Sequence, residues 1–249
     1  MGNHTINADR VNDLIDRCSR EVNDGLLPSC QLAIGFNGEI VVDHTIGDAT
    51  EDTRYCFFSA TKPFVAATIW QLVSEELLDL DTAVAALIPE FGNNGKEAIT
   101  LRQVLLHTSG FPHAPMGPKV WSSSESRRSR MSEWQLNWEP GTRYEYHPTS
   151  AHWVLAELIS EVTGEPYTDE IHRRVTDPLG IPRILGLSSD NQELMAELTL
   201  CEGEASPDEL ESVFGVREMP PSEVTDETII RFNDPLTREI GVPGGGGYG

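Results

Sequence analysis

A chain of 249 residues with 39% hydrophobic content can bury a full core, as one large domain or two intimate ones. Its net charge of -22 would be repelled by nucleic-acid phosphates and anionic membrane surfaces, which excludes both as partners. No basic, apolar and small-residue succession marks a secretory signal and no stretch has the length of a membrane span, so a cytoplasmic protein is expected.

Residues 8–24 carry an amphipathic helical pattern (Val11, Leu14, Ile15, Cys18, Val22) closed by Gly25. The period then changes to that of strands over 30–36 and 39–44, joined by Asn37-Gly38, a strong two-residue hairpin signal. From Phe57 to Leu78 the apolar residues Val65, Ile69, Leu72, Val73, Leu77 and Leu78 recur at helical spacing, which predicts a buried helix with Ser59 and Lys62 in its first turn. Asp81 can cap a short helix over 82–87, and Thr100 with Gln103 forms a capping box for another over 101–107. Residues 112–132, rich in proline, glycine and serine and holding Arg127, Arg128 and Arg130, are expected to be a solvated surface loop. Helices are predicted over 150–163, ending at Gly164, and over 167–175. Residues 202–227 form an acidic excursion in which Ser206-Pro207-Asp208-Glu209 starts a short helix. The glycine-rich segment 241–249 reads as a flexible linker, and it lacks the lysine of a phosphate loop. Cys18, Cys30, Cys56 and Cys201 are scattered as buried thiols, and the histidines show no metal-ligand spacing, so neither metal nor cofactor is expected.

Ser59 and Lys62, three residues apart, share one helical face. A serine hydroxyl needs a neighbouring base to become a nucleophile, and a lysine serves as one when burial and the positive end of a helix dipole disfavour its charged form. First-turn amides add donors for a developing oxyanion. Taken alone, Ser59 could equally cap its helix, with Lys62 solvated.

Four segments together change that balance. Ser59-Ala60-Thr61-Lys62, Leu105 to Pro112, Pro140-Gly141-Thr142 to Tyr146 followed by an apolar helix, and Gly241 to Gly247 resemble, in order and spacing, the motifs of the serine β-lactamase and penicillin-binding-protein superfamily, in its class C-like esterase branch. The resemblance implies an α/β (α+β) fold of β-lactamase/transpeptidase type: a small antiparallel sheet with flanking helices, a helical region inserted after the second strand, and the site between them. It implies a single domain over 1–249, divided at about residues 56 and 240. It assigns Ser59 as nucleophile, Lys62 as its base and Tyr146 as partner base, with an ester, small amide or lactam as substrate. Phenols ordinarily ionise near pH 10, so a phenolate base needs an adjacent cation, here Lys62. Two departures stand out. Pro148 replaces the family's asparagine, removing a donor that serves an amide-bearing substrate, so short activated esters are expected to outperform β-lactams. No K-T-G or H-x-G segment follows Tyr146, and the chain is expected to be an incomplete copy of its domain with little activity by itself. A catalytically silent relative that binds a ligand or partner is the alternative from a different class.

Overall fold

The computed structural model describes residues 6–200, 205–219 and 225–249. These fall into two compact units, one within residues 6–54 and the other formed by described residues of 55–249.

The first unit is a helix and a hairpin. Helix α1 (Ala8–Asn23) starts at Asn7, whose side chain accepts from the Arg10 amide, and the chain leaves it through Gly25 at φ 77°. Strands β1 (Ser29–Phe36) and β2 (Glu39–Gly47) pair antiparallel across Asn37-Gly38, both in the left-handed region as a tight two-residue turn requires. The register shifts between Ile34 and Gly35, so Val41 bulges from β2. Gly47 is needed where it stands: a Cβ there would lie 2.4 Å from Pro28 O and 2.8 Å from Val22 Cγ1. Among the described residues the sheet has these two strands.

The second unit is helical and holds the main core. A 3-10 turn (Phe58–Thr61) leads into α2 (Lys62–Ser74), with Pro63 in its first turn, where amides have no intrahelical partner. α2 is shorter than its apolar pattern predicts. Glu76 adopts φ 59°, and the Leu77 and Leu78 amides fold back on Leu72 O, so buried Leu78 closes the helix end as its apolar cap contact. Residues 82–87 form only a 3-10 turn (Val84–Ala86), because Asp81 is engaged by Arg102 at 2.8 Å and caps nothing. α3 (Leu101–Leu105) has the expected capping box of Thr100 and Gln103.

The stretch 112–132 is not a solvated loop. It contains α4 (Ser124–Glu133), capped by Ser123, and two of its arginines turn inward. Fully buried Glu157, on α5 (Ser150–Thr163), accepts from Arg127 Nε at 2.6 Å, Arg128 Nε at 2.9 Å and Ser124 Oγ at 2.5 Å. Arg127 also donates to Trp121 O and lies over the Trp153 ring, 5.4 Å from its centroid. The polar composition of 112–132 therefore matches a carboxylate thirty residues away. Removing one member of such a buried set leaves the other charge uncompensated, at a cost of about 3–5 kcal/mol.

α5 ends at left-handed Gly164 and buries Trp153, Val154, Leu155, Leu158 and Ile159 against Val65, Ile69 and Leu72 of α2. α6 (Tyr167–Ile171) continues as a π turn to Thr176. α7 (Pro207–Phe214) has the capping box of Ser206 and Glu209; the rest of the expected acidic excursion lies partly outside the described residues, as does Cys201. α8 (Asp226–Ile230) and α9 (Pro235–Ile240) follow. The glycine-rich segment is no linker: Tyr248 is buried, its amide donates to Ile184 O and it bridges to Cys56.

Candidate active site

The turn that presents Ser59 is held from both sides. Phe58, just before it, adopts φ 45°, a left-handed conformation that a bulky residue keeps only when its surroundings enforce it. The Phe57 amide donates to Gly247 O at 3.0 Å, Thr61 Oγ1 donates to Phe58 O at 2.6 Å, and the Gly247 amide donates to Thr61 Oγ1 at 2.9 Å. A Cβ on Gly247 would lie 2.6 Å from both Phe57 and Thr61, so only glycine lets the late segment dock here.

Ser59 is exposed, while Lys62 is 8% exposed. Lys62 Nζ lies 3.0 Å from Ser59 Oγ and donates to Gly244 O at 2.5 Å. Tyr146 Oη lies 2.9 Å from Ser59 Oγ, and Lys62 Nζ is 5.1 Å from the Tyr146 ring centroid. The three residues singled out in the sequence thus meet at one oxygen, and all belong to the second unit. Burial holds the Lys62 ammonium below its ordinary range, with Tyr146 acting in the opposite direction. Tyr144 is exposed and faces His107 edge-on.

Two features escaped the sequence reading. The first is the Gly244 carbonyl, which accepts from the lysine and orients it where Pro148 offers no side-chain acceptor. The second is a histidine set behind Tyr146. His107 lies tilted against the Tyr146 ring, with centroids 5.1 Å apart, and its Nδ1 accepts from the His147 amide at 3.1 Å. His147 Nδ1 lies 2.6 Å from Glu145 O, and since a carbonyl only accepts, this nitrogen carries the proton. Its Nε2 therefore accepts, from the Phe111 amide at 3.2 Å and the Ser109 hydroxyl at 3.1 Å. Neutral His147 thereby ties residues 109–111 to the segment bearing Tyr146. The donors that converge on the His147 ring are invisible in hydropathy; only its place beside Tyr146 could have drawn attention to it.

Burial pushes the His147 pKa from 6.5 to about 4, and His107 and His152 shift the same way, first through burial and then through Lys62. The folded state thus takes up fewer protons than the unfolded chain between about pH 6.5 and 4. Stability is fully present above about pH 6.5 and is lost as pH falls toward 4, with His147 contributing at most about 3 kcal/mol. Urea melts from pH 8 to 4.5 check this: the acid loss in the parent should shrink in His147→Gln, and an equal loss in both would remove His147 as its cause.

Beside Ser59 opens a cavity of about 460 Å³, lined mainly by apolar side chains, with Pro148 in its wall. Among the described residues no helix is long and apolar enough to cross a membrane, and no group of His, Cys, Asp and Glu is placed to hold a metal.

A serine between a buried lysine amine and a phenol, at the head of a core helix packed on a second core helix, defines a protein of the β-lactamase/transpeptidase-like fold. The Beta-lactamase family model matches residues 14–193, and the chain belongs to that family. It is similar to Protein flp of Staphylococcus aureus (strain COL), 29% identical over 175 residues; the match covers 64% of this chain and 35% of that protein. The chain thus spans about a third of the length of the curated relatives it matches. Among solved structures it resembles a family VIII carboxylesterase (TM-score 0.76, 25% identity, 99% of this chain and 68% of that chain). A penicillin-binding-protein homologue from Caulobacter crescentus is also similar (TM-score 0.72, 25% identity, 98% and 67%).

Proposed function

We propose that the chain is a serine hydrolase that transfers an acyl group to water through a Ser59 acyl-enzyme, acting on an ester or small amide. The observation that carries this reading is the meeting of Lys62 Nζ and Tyr146 Oη at Ser59 Oγ, at 3.0 and 2.9 Å. Lys62, with its charged form disfavoured by burial, takes the Ser59 proton as Oγ attacks the carbonyl carbon. The proton passes through Tyr146 to the departing alkoxide or amine. Water then attacks the acyl-enzyme, giving its proton to the same pair, and the acid leaves as Ser59 regains its hydrogen. The likeness to a family VIII carboxylesterase supports the hydrolase class, and Pro148 favours esters, which have no amide N–H to satisfy.

An activated fluorophosphonate tests the nucleophile without requiring turnover. One adduct per chain, mapped to the peptide containing Ser59, is expected. A panel of esters and lactams should then show faster ester hydrolysis. No adduct, or an adduct elsewhere, overturns the assignment, and efficient cephalosporin hydrolysis overturns the substrate preference.

A further inference from the structure

We infer that the cavity beside Ser59 binds the acyl portion of the substrate as an uncharged apolar chain or ring, and that Gly117 sets how long that portion can be. The inference rests on the serine hydrolase reading and specifies its substrate.

At about 460 Å³ the cavity falls within the roughly 300–1,000 Å³ range of small-molecule sites, far more room than an acetyl group uses. Met116, Trp121, Trp153, Ile229, Phe232 and Val242 supply its apolar lining, and among the described residues around it none carries a charge. A carboxylate placed there would lose its hydration without gaining a cation. Of the buried guanidiniums nearby, Arg127, over the Trp153 ring, is committed to Glu157 and Trp121 O, and Arg238 donates to Phe232 O and lies over the Tyr248 ring; neither lines the cavity.

The cavity also has a side. Lys62 and Tyr146, which protonate the leaving group, do not line it. A leaving group directed toward them sends the other substituent of the carbonyl, the acyl chain, into the apolar space. This lengthens the acyl group beyond the short esters expected from the sequence.

Gly117 lies on the wall, just before the 3-10 turn Pro118–Val120, at φ -63° and ψ 156°. That backbone suits any L-residue preceding proline. Gly117 is exposed, and a Cβ added there meets nothing within 4 Å, so the fold accommodates a larger side chain at the rim of the cavity. Each buried methylene is worth about fourfold in binding.

The test holds the leaving group constant. For 4-nitrophenyl esters, kcat/KM should rise at least about tenfold from acetate to hexanoate, and 4-nitrophenyl hemiglutarate, of similar length but anionic, should fall about 10²-fold below hexanoate. Gly117→Leu should lower the hexanoate-to-acetate ratio about tenfold, with Gly117→Ala shifting it less in the same direction. Equal rates for the anionic and neutral chains, or a ratio unmoved by both variants, would overturn the inference. Binding separates this from failure of the nucleophile assignment. In Ser59→Ala, hexanamide should quench tryptophan fluorescence at about tenfold lower concentration than acetamide. That order would persist even if Ser59 were not the nucleophile, and its absence would reject the acyl pocket.

Discussion

Replacing Ser59 with alanine removes turnover and covalent labelling together, with an expected loss on the order of 10⁶ in kcat, the scale seen when a hydrolase loses its nucleophile. The substitution deletes one oxygen from an exposed residue that caps nothing, since neither the 3-10 turn nor α2 has a side-chain cap. Stability should therefore change by no more than about 1.5 kcal/mol, the net scale of a hydrogen bond, because Lys62 keeps Gly244 O as its acceptor when Ser59 Oγ is lost. Ester hydrolysis, fluorophosphonate mass shift and a thermal melt on the same preparation separate chemistry from folding. Near-normal activity in Ser59→Ala would place the nucleophile elsewhere.

Lys62→Met and Tyr146→Phe should each lower kcat/KM by about 10² or more, because each interrupts proton transfer at Ser59 Oγ. Their combination should lose far less than the product, since both act on one hydrogen-bonded oxygen. Strictly multiplicative losses would mean that the two side chains act independently. Proton dependence gives a second readout. In the proposed mechanism Lys62 acts as a free amine, and burial lowers its pKa, so kcat/KM should climb as pH rises through that pKa and level off above it. Lys62→Met should abolish this limb, and an unchanged limb would assign it to another group. Tyr146→Phe keeps the ring against His107 and Lys62 and deletes only the hydroxyl, so its defect should appear without loss of stability.

Ser59, Lys62 and Tyr146 were legible because helical spacing fixes the first two and an ordered set of motifs locates the third. The hairpin and the capping boxes at Thr100 and Ser206 were legible for a similar reason: each depends on contacts within a few residues of chain. What stayed hidden depends on partners far along it. Arg127 and Arg128 read as solvated because composition cannot reveal Glu157 waiting on α5. Leu78 extended the apparent helix because a folded-back cap and another helical turn bury it equally well, whereas Leu77 stays exposed. The run after Gly241 looked like a tether because glycine signals freedom in isolation, whereas Gly247 is there to let backbone approach Phe57 and Thr61. His147 had no periodic signature, its role being set by donors on Ser109 and Phe111.

The carbonyl that steadies Lys62 comes from Gly244, 182 positions later in the chain. On the ribosome, at about 5–20 residues per second, the intervening stretch takes roughly 10–40 s to synthesise. Throughout that interval a nascent chain can already have wound α2, yet the turn that presents Ser59 lacks Gly247 and the Lys62 amine lacks the acceptor that aims it. Reactivity is thus tied to a contact of very long sequence separation, among the last that a folding chain can close. The proposed nucleophile and its base are therefore assembled only once nearly all of this stretch of chain has been made.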